Sequence, residues 1–145
     1  MGTATMGRVL VTAMIENLFD LFDVKRGTRT PDEVRSVEAK DAIIDPTSTF
    51  LSLPADIISY LGIHPIIGPR FDPRHCGIAR LTVQGRTCYV DVVQGAEGSP
   101  VLIGSIPCQS MDWAVDPKTN TLVEDPGPRR PFLYEPYPTD PNPAS

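Results

Sequence analysis

Two neighbouring segments near the middle of the chain alternate apolar and polar residues on either side of a glycine-containing turn. They cover residues 78–83 and 87–93, with Gln84-Gly85-Arg86 between them. An alternation with period two places successive side chains on opposite faces of a strand, and a glycine lets the backbone reverse tightly. The sequence therefore predicts an antiparallel β-hairpin here.

Further segments have the same strand-like character. Residues 8–17 and 33–44 alternate imperfectly and are rich in β-branched side chains, and residues 101–104 form the short apolar run typical of a buried strand. Residues 115–123 have the pattern of a strand, a turn and a second strand. We therefore expect a mostly β fold.

Two short helices are predicted between these strands. The first covers residues 53–62, with Ser52 as N-cap, Pro54 in the first turn and Gly62 as the stop. The second covers residues 106–114, with a proline near its start.

Two polar segments are predicted to be loops. Residues 17–32 combine glycine, threonine and proline with charges of both signs, which interrupts any regular period. Residues 63–76 are interrupted by prolines and are predicted to form a mobile loop.

The length and the distribution of proline predict the domain organisation. A chain of 145 residues fits one domain, and many of its sixteen prolines lie in the last twenty residues. We expect a flexible N-terminus at residues 1–6 and one β domain at residues 7–125. Residues 126–145 should form an extended or disordered proline-rich tail.

The charge and the N-terminal segment argue against two classes of partner. A formal net charge of -5 argues against nucleic acid, because nucleic-acid-binding surfaces are usually basic. Residues 8–22 contain Glu16 and Asp20, so they resemble neither a signal peptide nor a membrane span. The expected location is cytoplasmic, without a membrane partner.

The cysteines and histidines do not predict a metal site or a cofactor. Cys76, Cys88 and Cys108 have no common zinc-binding spacing, and His64 and His75 are the only histidines. His75 and Cys76 are adjacent, but neighbours on a strand point to opposite faces, which argues against a catalytic pair.

The candidate site lies in residues 41–54, where an apolar segment ends at Asp45. Three hydroxyl-bearing residues, Thr47, Ser48 and Thr49, follow it closely. A carboxylate at a strand end with such donors can serve in catalysis, and its pKa depends on those donors. The same residue types also form Asx turns and helix caps. Both interpretations remain open from the residues alone.

Residues 43–54, 101–106 and 115–123, in this order, resemble a bacterial retropepsin-like aspartic protease domain. The shared features are an apolar strand entering an aspartate loop, a Ser-x-Leu-Pro segment, a Leu-Ile-Gly strand and a Val-Asp-Pro hairpin. The resemblance covers residues 7–125. It implies a closed antiparallel barrel of the retropepsin type with one or two short helices, and a C2 homodimer. It also implies one catalytic Asp45 from each copy, and a flap formed by residues 66–76 or by the hairpin after them.

The aspartate loop departs from the family's Asp-Thr-Gly pattern. Pro46 stands in place of the threonine whose hydroxyl joins the two loops across the dimer axis, and Thr47 stands in place of the glycine. Proline offers neither a hydroxyl nor an N–H donor, and threonine adds a β-branched side chain in a tight space.

These departures favour a catalytically impaired homodimer, a pseudoenzyme that binds an extended peptide or protein segment. One alternative is an active aspartic endopeptidase that uses Asp45 from each subunit. The other is an unrelated small β-barrel interaction domain.

Overall fold

The computed structural model describes residues 8–64 and 75–125. The predictions for residues 1–6, for the 126–145 tail and for a flap at residues 66–76 therefore fall wholly or mostly outside the described residues.

The elements are β1 (Val9–Asn17), α1 (Leu18–Arg26), a 3-10 helix (Pro31–Glu33), β2 (Ser36–Ile44), β3 (Leu51–Leu53), α2 (Ala55–Leu61), β4 (His75–Val83), β5 (Arg86–Gln94), β6 (Leu102–Ile103), α3 (Ser105–Ser110), β7 (Trp113–Asp116) and β8 (Thr121–Glu124). The prediction of a mostly β fold is confirmed.

Six of the strands pair side by side in the order β1-β2-β6-β3-β5-β4, and β4 pairs back onto β1. The remaining two, β7 and β8, form a separate hairpin. Most neighbouring strands pair antiparallel, but β2 is parallel to β6 and β3 is parallel to β5. β6 lies between β2 and β3, and it is parallel to β2 and antiparallel to β3.

The core is built from alternate residues of the long strands. In β1, Val9, Val11, Ala13 and Ile15 are buried, while the residues between them are exposed or partly exposed. β4 and β5 repeat this pattern and pair antiparallel across the 84–85 turn, as the hairpin prediction requires. Burying each large aliphatic side chain contributes about 1.5–3 kcal/mol, so these strands supply much of the stability.

The prediction of a loop at residues 17–32 is wrong, because this segment contains α1 and the start of the 3-10 helix. Asn17 caps α1, since its Oδ1 accepts a hydrogen bond of 2.8 Å from the backbone N–H of Asp20. Gly27 ends the helix at a φ of 81°, which favours glycine. With α2 and α3, the described residues therefore hold three α-helices rather than one or two.

The two predicted helices also have different boundaries. Ser52 is not an N-cap, because it lies in β3, and α2 begins only after Pro54. Gly62 stops α2 as predicted, with a φ of 66°. The second helix, α3, is shorter than expected because Trp113 starts β7, and β7 and β8 form the predicted strand–turn–strand.

One buried carboxylate ties α1 to the chain that enters β2. Asp20 is 1% exposed and accepts hydrogen bonds from Arg35, at 2.9 Å from Nε and 3.0 Å from Nη2. The backbone N–H of Arg35 donates to the same carboxylate at 3.0 Å. The side-chain bonds from Arg35 hold the pKa of Asp20 below its usual value, although burial opposes this. The ionised form is therefore the one that the fold stabilises.

We expect Asp20→Asn to lower the free energy of unfolding by about 2–3 kcal/mol, because it removes charge-assisted bonds and leaves Arg35 with a weaker partner. Chemical denaturation measures this directly. Asp41→Asn, at an exposed position of β2, is the control and should change little. Equal stability of the two variants would show that the Asp20–Arg35 contact does not matter to the fold.

Candidate functional site

Asp45 directly follows the end of β2, as the sequence predicted. Its backbone N–H donates to the carbonyl of Ile103 at 2.9 Å, which continues the parallel pairing of β2 with β6. The residue is half-buried, while Pro46 and Thr47 after it are exposed. The strand pairing therefore holds the aspartate at the surface in a fixed main-chain position.

The carboxylate accepts three hydrogen bonds from its own loop. Oδ1 accepts from the Thr47 backbone N–H at 3.0 Å and from Thr47 Oγ1 at 2.6 Å. Oδ2 accepts from Ser48 Oγ at 2.9 Å. This is an Asx-turn geometry, and it leads into β3 rather than into a helix, so Asp45 is a turn residue and not a helix cap.

Thr49 has a different place from Thr47 and Ser48, although the sequence grouped the three together. Thr49 is exposed, and its carbonyl accepts from the backbone N–H of Ile106 at 3.1 Å. The carbonyl of Ser48 accepts from Ser105 at 2.9 Å in the same way. The start of α3 therefore anchors the main chain of the loop.

The hydrogen bonds from the loop lower the pKa of Asp45. The Thr47 hydroxyl is the largest of the effects that lower the pKa of Asp45, and Ser48 and the Thr47 N–H add to it. Partial burial acts in the opposite direction but does not overcome them. All of these donors are uncharged, and each one stabilises the carboxylate rather than the acid.

Two cavities adjoin the loop. The first has a volume of about 400 Å³ and lies between the hydroxyl residues of the loop and the segment 95–99. The second, of about 250 Å³, includes Pro46, Cys108 and Trp113. The sequence did not predict Ser52 or the segment 95–99 as part of the site. Serine before a proline is typical of a helix cap, and the composition of residues 95–99 is that of an ordinary turn.

The cysteines and His75 do not form a second reactive centre. His75 Nε2 lies 2.9 Å from Asp91 Oδ1, while burial raises the pKa of the neighbouring Cys76 thiol. Burial also raises the pKa values of Cys88 and Cys108 to about 11. A nucleophilic cysteine needs a lowered pKa, so these thiols have the wrong electrostatic surroundings.

Within residues 8–64 and 75–125, the His, Cys, Asp and Glu side chains do not come together in a group of three that could hold a metal ion. In the same part of the chain, every helix is too short or too polar to cross a membrane.

No protein-family model and no curated protein matches this chain. A solved structure that is similar to it is the retroviral protease-like domain of Ddi1 from Leishmania major, with a TM-score of 0.48 and 13% sequence identity. The alignment covers 82% of this chain and 90% of that one. A match at this level identifies neither the family of this chain nor the chemistry of its site.

We expect Asp45→Ala to lower the free energy of unfolding by about 1–2 kcal/mol at neutral pH, because Thr47 and Ser48 lose their acceptor. Asp45→Asn should cost less, since its amide oxygen still accepts from Thr47. The pKa of Asp45 is lowered in the folded chain. The ionised carboxylate therefore makes its full contribution to the free energy of unfolding above the unfolded-state pKa of about 3.9. This contribution is lost as the pH falls through that value and below it.

Denaturation curves of the wild type and Asp45→Asn between about pH 6 and pH 2.5 test this. The difference between their free energies of unfolding should become smaller as the pH falls. Asp41→Asn is the matched control. A gap that widens on acidification would mean that the folded protein favours the protonated acid instead.

Proposed function

We propose that this chain is a catalytically impaired, peptide-binding homodimer with a fold of the retropepsin type. The order of the sequence motifs supports this fold, as does the six-stranded pairing that places the Asp45 loop between β2, β6 and β3. The proposal includes a closed barrel and a two-fold axis that passes beside the two Asp45 loops.

A second copy is part of the proposal because aspartic protease chemistry and its binding groove need two loops. In that chemistry one carboxylate activates water while a second, protonated carboxyl donates to the peptide. Each chain contributes one aspartate to this loop, and an isologous C2 dimer is the commonest way to bring two identical loops together.

The observation that carries the proposal of impaired catalysis is the set of three hydrogen bonds on Asp45. They come from Thr47 N–H, Thr47 Oγ1 and Ser48 Oγ, and all of them favour the ionised form. A catalytic pair of aspartates, one from each subunit (a dyad), instead needs one proton shared between its two carboxyl groups. Donors that lower the pKa of each aspartate work against retaining that proton near neutral pH.

Pro46 and Thr47 have further consequences for a dyad. Pro46 has no side-chain hydroxyl and no backbone N–H with which to join the two loops. The Thr47 hydroxyl already occupies Oδ1 of its own aspartate at 2.6 Å. The two loops can therefore meet without forming the bonds that would support catalysis.

The binding function is supported by the space beside the loop. The 400 Å³ cavity opens next to Thr47 and Ser48, where a groove across the two-fold axis would pass. An extended peptide or protein segment fits such a groove through its main-chain hydrogen bonds and alternate side chains. No hydrolysis is required for this function.

The proposal predicts that the wild type binds members of a random peptide library but cleaves none between about pH 4 and pH 7. The double variant Pro46→Thr, Thr47→Gly should gain cleavage, because it removes the Thr47 hydroxyl from Asp45 and restores the family pattern. Mass spectrometry of the incubated library measures both. Adding Asp45→Asn to the double variant should abolish the gained activity, and Asp41→Asn is the control.

Other outcomes separate the alternatives. Cleavage by the wild type that disappears in Asp45→Asn would establish an active aspartic endopeptidase. A protein that sediments only as a monomer at micromolar concentration and binds no peptide would overturn the proposal. That result would favour an unrelated β-barrel interaction domain.

A further inference from the structure

Ser52 is a buried polar residue in β3. It is 8% exposed, and its neighbours Leu51 and Leu53 are fully buried in the core. Because side chains alternate along a strand, Ser52 points to the opposite face from these leucines. On that face its partners across the sheet are Val93 of β5 and Leu102 of β6. These three residues form the floor of the 400 Å³ cavity.

A tight turn that carries a second serine, Ser99, also lines the cavity. Ser99 N–H donates to the carbonyl of Ala96 at 3.0 Å, and Gly98 within the turn has a φ of 75°. Gly95, just before the turn, is fixed to β3 because its N–H donates to the carbonyl of Leu53 at 2.9 Å. The turn is therefore attached directly to the strand that carries Ser52.

The two serine hydroxyls converge on Gly95. A Cβ at this position would lie 2.6 Å from Ser52 Oγ and 2.7 Å from Ser99 Oγ, so any larger residue would collide with both. The absence of a side chain at Gly95 leaves space for the two hydroxyls in their present positions.

Ser99 Oγ is inaccessible to solvent and has no hydrogen-bond partner among the described residues. A buried hydroxyl without a partner is unfavourable, because it gives up its bonds to water without replacement. Ser99 lines the 400 Å³ cavity, and its hydroxyl moves among three staggered positions by rotation about the Cα–Cβ bond, so it is available to pair with a ligand group there. The site thus holds unused hydrogen-bonding capacity.

The lining of the cavity determines the chemical class of ligand. Its side chains include hydroxyls from the loop and from both serines, together with apolar Val93 and Leu102, and none of them is charged. Burying a charged group here would be costly, and a purely apolar group would leave the serine hydroxyls unpaired. An uncharged side chain with a hydrogen-bonding end and a short apolar part is the best match.

We propose that this cavity is a side-chain pocket of the peptide groove and selects serine, threonine, asparagine or glutamine in the bound segment. Thr47 and Ser48 line the pocket and also donate to Asp45, so the selected residue lies next to the aspartate loop. This inference rests on the proposed function and names the class of peptide that the site takes.

The test uses an immobilised octapeptide library in which each position is varied in turn, with binding of the fluorescently labelled full-length protein as the readout. At one position the wild type should favour the four uncharged polar residues over leucine, aspartate and lysine by about fivefold, the value of roughly one hydrogen bond. Ser52→Ala and Ser99→Ala should each lower this preference at the same position and leave the other positions unchanged.

Matched controls keep the result interpretable. Ser99→Ala removes a hydroxyl that has no partner, so it should fold at least as stably as the wild type. Ser110→Ala changes an exposed serine at the end of α3 and should keep the wild-type preference. Gly95→Ala fills the space between the hydroxyls and should weaken binding at that position, with its melting curve showing whether the fold persists.

The outcomes distinguish this inference from the function on which it rests. Peptides bound by the wild type with an unchanged preference in Ser99→Ala and Ser52→Ala would overturn the pocket alone. A preference for leucine or for charged residues at every position would do the same. Failure of the wild type to bind any peptide in the library would overturn the proposed function and the pocket together.

Discussion

The arrangement of the whole site depends on the insertion of β6 between β2 and β3. β6 is only two residues long, yet it is parallel to β2 and antiparallel to β3. The chain after it continues the contact, since Gly104 N–H donates to the carbonyl of Phe50 at 2.8 Å. A Cβ on Gly104 would lie 2.5–2.7 Å from main-chain atoms of residues 48–50, so only glycine allows this approach.

This close contact with β6 and Gly104 fixes the main chain of the loop that follows Asp45. The hydroxyls of Thr47 and Ser48 then point at the Asp45 carboxylate and lower its pKa. The same loop forms one wall of the cavity whose floor carries Ser52. In the function that we propose, the residue types at positions 46 and 47 remove catalysis, while the scaffold and the adjoining cavity persist.

The sequence predicted the elements whose signals are local. The 78–93 hairpin, the long β-branched strands and the position of Asp45 at a strand end follow from alternation and turn chemistry alone. Asn17, an acidic residue three positions later and Gly27 are ordinary start and stop signals for α1. The threonines and the proline that follow have the composition of a loop, and they obscure these signals. The three-residue β3, the parallel pairing and the role of Ser52 were not predictable locally, since each depends on strands distant in the sequence.

We propose that Asp45 is held ionised by its own loop and does not share a proton with a second carboxyl group. The most direct measurement is an NMR titration of the Asp45 side-chain carboxyl carbon in the full-length protein, with Asp45→Asn to assign the signal. Our account predicts a single step with a pKa below the usual value for aspartate. A step above that value, or two well-separated steps as expected for a carboxyl pair that shares a proton, would contradict it.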